Sequence, residues 1–144
     1  MNSIESVNTN QYVLFKLENE SYGIEIEYVK TIEKITNITR VPNTKPYVKG
    51  VINLRGEVIP VIDLRERFGL SITDYNNETR VIIVSIKDFV IGLIVDSSSE
   101  VIHLNDNEVD NPPTIGETNT VEFIKGIGKK DGNLIMLLNL KKVL

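Results

Sequence analysis

The sequence predicts a mainly β fold of two tandem five-stranded barrels with short helices, made by duplicating one unit. Three observations predict it. From Lys49 to Leu64 the chain reads Lys-Gly-Val-Ile-Asn-Leu-Arg-Gly-Glu-Val-Ile-Pro-Val-Ile-Asp-Leu, two β-branched runs flanking Arg55-Gly56-Glu57, where glycine allows a tight turn. That pattern returns without a gap: Tyr47 to Leu64 aligns with Phe123 to Leu140, placing Lys49 on Lys125, Gly50 on Gly126, Gly56 on Gly132 and Asp63 on Asn139 at a separation of 76. Upstream, Tyr12 to Ile24 aligns with Val81 to Leu93, Gly23 falling on Gly92 at a separation of 69. The seven extra residues place an insertion in the turn-rich segment Asn105 to Thr120.

Taken in order, residues 1–10 are polar and without period and predict a short disordered tail. Tyr12 to Leu17 predicts a strand, Asn19-Glu20 a turn and Tyr22 to Ile24 the returning strand. Ile26, Val29, Ile32 and Ile35 then recur three apart, with Glu25 and Glu27 early and Lys30 and Lys34 late, which predicts a helix over Glu25 to Ile35. Ile38 to Val41 predicts a strand and Pro42 to Pro46 a rigid loop. Pro60 cannot donate to a ladder, so the second strand of the central hairpin is expected at an edge or bulge. Asp63, with Glu66 three positions on, predicts a capped helix over Leu64 to Phe68.

The polar segment Gly69 to Thr79 is the expected boundary, giving a first barrel over about 11–70 and a second over about 80–144, with terminal strands free to cross. Arg80 to Ile86 and Phe89 to Val95 are nearly continuous in apolar residues and predict central strands buried on both faces. Val101 to Leu104 predicts a short strand, and Ile124 to Lys130 with Leu134 to Leu138 a hairpin through Asp131-Gly132. A last helical turn, Leu140 to Leu144, is expected to be capped by Asn139 as Asp63 caps its counterpart.

Composition excludes several classes of function. The chain has 144 residues and no cysteine, so disulfides, thiolate metal sites and thiol nucleophiles are absent together, which fits a reducing, cytoplasmic setting. No stretch reads as a leader or a membrane span. A net charge of −4 and no basic stripe argue against a nucleic-acid partner. The sequence also lacks assembled catalytic parts. His103 is the one histidine and reads as an ordinary strand residue. Ser97-Ser98-Ser99 lacks a nucleophile elbow and reads as polar loop, and Gly126-Ile-Gly-Lys129 lacks the helix that a phosphate loop needs. Asp63 could act as a base, but capping explains both it and Asn139. Arg55, at a hairpin tip, could clamp a partner's carboxylate, be a solvated turn residue or pair within the fold, and the stripe of the expected helix could be core or docking face.

Gly50-Val-Ile-Asn-Leu-Arg-Gly56 followed by Ile59-Pro-Val-Ile-Asp-Leu64 resembles the signature of the CheW-type chemotaxis coupling proteins. So do Tyr22-Gly-Ile24, Arg40-Val-Pro42, Val90-Ile-Gly-Leu-Ile-Val-Asp96 and Ile124-Lys-Gly-Ile-Gly128, and the likeness runs from Gln11 to Leu144. The regulatory domain of the kinase CheA and the first domain of CheV share these motifs. With no phosphoacceptor, ATP-binding or receiver portion, the chain reads as the stand-alone adaptor. The resemblance implies two SH3-like five-stranded barrels, no catalysis, no cofactor and no metal. It implies a cytoplasmic bridge from the CheA regulatory domain to the hairpin tip of chemoreceptors, without insertion into the membrane. It also implies roles: Val13, Ile26, Val29 and Ile32 lining a receptor groove, Gly50, Asn53, Arg55 and Gly56 forming the motif loop, and Gly92 and Gly126 on the kinase side. Ser98 departs from the pattern, which usually has an apolar residue there.

Overall fold

The computed structural model describes residues 10–112 and 122–144. Most of the expected disordered tail, residues 1–9, and positions 113–121 of the expected insertion lie outside the described residues. Asn10, counted in that tail, is held in place, its carbonyl accepting from the Leu104 N–H at 2.9 Å.

Among the described residues the strands are β1 (Gln11–Leu17), β2 (Glu20–Glu25), β3 (Val29–Lys34), β4 (Val48–Leu54), β5 (Glu57–Asp63), β6 (Arg80–Ile86), β7 (Phe89–Val95), β8 (Ser97–His103), β9 (Val109–Asp110), β10 (Ile124–Lys130) and β11 (Asn133–Leu138). Two single-turn helices follow the two long hairpins, α1 (Leu64–Arg67) after β5 and α2 (Leu140–Val143) after β11. Two-residue turns close the hairpins. At Arg55-Gly56 and Asp131-Gly132 both residues have positive φ, 51° and 86° in the first and 51° and 81° in the second, matching the right-handed twist of the flanking strands.

The strands form a six-stranded sheet in the order β8, β1, β2, β11, β10, β9 and a five-stranded sheet in the order β3, β6, β7, β5, β4. The strand pairing crosses the expected boundary between 11–70 and 80–144, where terminal strands are expected to be free to cross. The crossing involves whole hairpins: β1–β2 of the first half pairs with β8 and β11 of the second, while β6–β7 pairs with β3 and β5 of the first. Each exchanged hairpin joins through a parallel ladder that carries a glycine, Gly23 opposite Leu137 and Gly92 opposite Val61. A Cβ at Gly92 would meet Val61 Cγ1 at 2.9 Å and Val81 Cγ1 at 2.7 Å, so this close approach needs a residue without a side chain.

The expected helix over Glu25 to Ile35 is a 3₁₀ turn, Ile26–Tyr28, followed by β3. Val29 pairs with Val84 and Ile32 with Ile82, and a bulge between Val29 and Thr31 adds the residue that returns both to one face. A bulged strand thus reproduces the three-residue spacing of a helix. The strand expected over Ile38 to Val41 reduces to one bridge, Thr39 to Val51.

Pro60 does not mark an edge, because β5 lies between β7 and β4. Its partner Val51 spends its N–H and carbonyl on Thr39, and pairing with β7 starts only at Val61, so no ladder bond is asked of the proline. β6 and β7 do occupy the interior of their sheet. Asp63 caps α1, accepting from the Arg65 and Glu66 N–H groups, whereas Asn139 makes no side-chain cap bond to α2. Asn139 is an amide whose own backbone N–H donates to the Phe123 carbonyl at 2.7 Å, and its place in the repeat does not make it a cap.

One apolar cluster fills each sheet's interior: Ile52, Ile59, Val61, Val81, Ile83 and Ile94 in one, Tyr12, Leu104, Ile135 and Leu137 in the other. The largest cluster lies between the sheets, where Phe15, Tyr22, Phe68 and Phe123 form a continuous aromatic row with centroids 5.0–5.8 Å apart.

Candidate functional site

The motif hairpin is shaped by three of its four singled-out residues and opened to solvent by the fourth. A Cβ on Gly50, whose φ is 143°, would lie 2.1 Å from the Thr39 carbonyl oxygen, so glycine lets the Thr39 segment reach β4. Asn53 accepts the Gly56 N–H on its side-chain oxygen at 3.0 Å, and Gly56 supplies the second positive φ of the turn. Arg55 is left with its side chain 72% exposed, touching Glu33 Oε2 of β3 at 3.4 Å, while Thr31 donates to that oxygen at 2.8 Å. An exposed guanidinium held loosely by one carboxylate keeps donors free for a second.

The four residues expected to line a groove, Val13, Ile26, Val29 and Ile32, occupy one region at different depths. Val13 is buried in the inter-sheet core. Ile26 and Val29 are half-buried against it. Ile32, on the edge strand β3 and on the same face as Val29, is 41% exposed. Sequence reasoning missed Val101. It stands opposite Val13 across the β1–β8 ladder, hence on the face of β1 that enters the core, and is 48% exposed on the edge strand β8. The alternation that could have revealed β8 is masked by Ser97, Ser98 and Ser99, read as loop. Ser98 faces the same side as Phe15 beside a bulge, and its hydroxyl donates to the Leu14 carbonyl at 2.8 Å. The polar departure from the family pattern thus has a bonded partner.

Gly92 and Gly126 sit apart from that face. Gly92 is locked in the core between Val61 and Val81, and Gly126 lies where a Cβ would meet the Asp110 carbonyl at 3.2 Å, letting β9 approach β10. Both admit close packing rather than present a side chain.

The remaining candidates have structural tasks. The His103 carbonyl accepts from Lys130 Nζ at 2.9 Å. Asp63 uses one oxygen for the cap, and its other accepts from the Tyr75 hydroxyl at 2.8 Å; burial first, and then this bond, raise the phenol's pKa. Among the described residues no group of three or more His, Cys, Asp or Glu side chains is placed to hold a metal. What this geometry offers is surface: an apolar margin fed by two edge strands and a cationic hairpin tip.

Comparison with known proteins agrees with this arrangement. The family model described as "CheW-like domain" matches residues 11–144. The chemotaxis protein CheW of Bacillus subtilis is 39% identical, the match covering 92% of this chain and 85% of that one. CheW of Klebsiella aerogenes is 34% identical over 93% of this chain and 81% of its own. The crystal structure of the scaffolding protein TtCheW from Thermoanaerobacter tengcongensis superposes with a TM-score of 0.84 at 39% identity, covering 91% of this chain and 89% of that one. Two SH3-like β barrels, a chemotaxis scaffold's motif hairpin and a match along nearly the whole chain lead to one conclusion: this chain belongs to the CheW-like family of chemotaxis scaffolding proteins.

Proposed function

We propose that the chain is a non-catalytic cytoplasmic adaptor that couples the regulatory domain of a CheA-type kinase to the helical hairpin tip of chemoreceptors. The observation that carries this reading is the open apolar margin of the inter-sheet core. Ile32 and Val101 stand exposed on faces whose neighbouring positions, Val29 and Val13, are half-buried or buried. An amphipathic helix presents a matching stripe, and burying it there continues a core already half built. The motif loop of Gly50, Asn53, Arg55 and Gly56 serves assembly through its exposed cation, and the barrel ends shaped by Gly92 and Gly126 face the kinase. No helix of the described residues is long and apolar enough to cross a membrane, so attachment to receptors rests on protein contacts.

Ile32→Glu and Val101→Glu test the reading. Each places an unpaired charge at the margin and is expected to weaken binding of a receptor signalling fragment at least about tenfold while the kinase regulatory domain binds as before. Val29→Glu is the contrast: its half-buried side chain packs on the core, so that variant loses stability as well. Equal loss of both partners by the Ile32 and Val101 variants, or unchanged receptor binding, sinks the proposal.

A further inference from the structure

The duplication places two equivalent polar junctions in the molecule, and only one of them is held by an arginine fork. At the first, Asp96, the residue that leads β7 into β8, is gripped from three sides. Arg65 of α1 donates to it through Nε at 2.8 Å and through a terminal nitrogen at 2.5 Å. The Glu18 N–H, in the β1–β2 turn, donates to the same carboxylate at 2.8 Å, and the Asp96 N–H donates to the Lys16 carbonyl at 3.0 Å. Arg65 is further held by the Ser71 carbonyl at 3.0 Å and lies 3.7 Å from Glu18 Oε2, with its side chain 14% exposed. A fork of donors on a carboxylate, both largely withdrawn from water, fixes direction as well as distance. These bonds line a cavity of about 230 Å³ roofed by the segment Thr73 to Thr79.

The second junction has the same plan by sequence but not the fork. Lys141 stands for Arg65, Asn139 for Asp63, Glu27 for Asp96 and Lys87 for Glu18 at the repeat separations of 76 and 69. A cavity of about 310 Å³ there is lined by Glu25, Tyr28, Lys125, Asn139 and Lys141 among others, and what ties it is an ordinary ion pair, Lys125 Nζ to Glu25 Oε1 at 2.6 Å, from β10 to the end of β2. Among the described residues neither Lys141 nor Glu27 takes part in an ion pair, and Asn139 makes no cap bond. The forked junction is the root of β8, which carries Ser98 and Val101. The other is the root of β3, which carries Val29 and Ile32.

From this asymmetry we infer that Arg65 and Asp96 are positioning residues for the receptor-binding margin: they hold the β8 wall at a set angle through a fork that the β3 wall does not have. The inference rests on the adaptor reading given above. Neither residue needs to touch the partner. A fixed wall lowers the ordering cost of binding.

Asp96→Asn keeps the shape and removes the charge; Arg65→Lys keeps the charge and removes the fork. Amide hydrogen exchange of the full chain reads the latch without any partner. In Asp96→Asn the β8 amides are expected to exchange at least about tenfold faster while those of the β10–β11 hairpin keep their rates, with Arg65→Lys between. Binding then reads the consequence: affinity for a receptor signalling fragment falls about tenfold and affinity for the kinase regulatory domain stays within about twofold. Unchanged β8 exchange overturns the inference, as does a uniform acceleration through both sheets, which marks a purely stabilising ion pair. A wild-type chain that binds the fragment, with variants that bind it equally well, overturns the latch alone. A wild-type chain that binds no fragment overturns the adaptor reading and this inference together.

Discussion

The carbonyl oxygen of Thr39 occupies the space in which a side chain on Gly50 would begin: a Cβ there would lie 2.1 Å from it. The atom in the way belongs to the backbone and is itself fixed by paired bonds to Val51, 2.9 Å in each direction. Gly50→Ala is therefore expected to cost about 3 kcal/mol, combining the clash with a left-handed backbone. Gly56→Ala, where nothing lies within 4 Å, is expected to cost about 1 kcal/mol through its φ of 86° alone. Urea midpoints of the two variants check the order; equal losses would show that the Thr39 segment moves aside.

Arg55 and its repeat counterpart Asp131 share a φ of 51° and are each followed by a glycine, so the turn does not dictate the side chain at either tip. Arg55→Ala should leave stability within about 0.5 kcal/mol, since its pairing with Glu33 is long and largely solvated. The same variant should lower the yield of the complex with kinase domain and receptor fragment about tenfold. Thermal melting and sedimentation of the mixture decide the point, with Asp131→Ala as the control that leaves the Arg55 tip intact. A large fall in melting temperature would instead assign Arg55 to the fold.

Arg67 lies between two rings, its guanidinium carbon 4.5 Å from the Tyr47 centroid and 4.6 Å from that of Phe123, and donates through Nε to the Val143 carbonyl at 2.8 Å. It thereby ties α1 to α2. Arg67→Ala is expected to cost about 2 kcal/mol, and Arg67→Lys most of that, because an ammonium can neither stack flat nor keep the fork. Chemical denaturation of both variants measures it; a lysine variant as stable as the wild type would leave charge as the only contribution.

Tyr22 sets an alkaline limit. Burial, then the nearby charges of Glu20 and Glu18, raise its phenol to about 12. The unfolded chain ionises near 10 and the folded chain does not, so the contribution is full below pH 10 and is lost as pH rises towards 12. It amounts to about 3 kcal/mol. Tyr12, Tyr28 and Tyr75 are raised too, burial being the largest cause in each, so they steepen the same decline. Urea midpoints from pH 9 to 12 should fall, and Tyr22→Phe should fall less by about one proton's slope. Parallel curves for the two chains would contradict the assignment.

The hairpins and the duplication were legible because their chemistry is local: Arg55-Gly56 and Asp131-Gly132 close the turns that their residues demand, and Gly50 and Gly126 each follow a register shift in equivalent strands. Ile26, Val29 and Ile32 misled because spacing alone cannot tell a helix from a strand with one bulged residue. Val101 was hidden by three serines in a row, one of which, Ser98, bonds the distant Leu14 carbonyl. Which hairpin pairs with which sheet was illegible for the same reason: nothing near Leu17 announces a ladder with residues 97–103 or 135–137. Asn139 shows the opposite limit, a position matched in sequence whose bond was not kept.

The exchange of hairpins also sets a clock. On a ribosome adding about 5–20 residues per second, the β1–β2 hairpin is complete roughly 6–20 s before its parallel partner Ile135–Leu137 is made. For that interval β2, whose Tyr22 and Ile24 are nearly inaccessible in the finished protein, has only β1 beside it, and β1 in turn waits for β8 until His103 is made. The nascent chain carries one edge of its first hairpin unpaired until almost its last residue, so the stage at which it most needs protection from aggregation is synthesis itself.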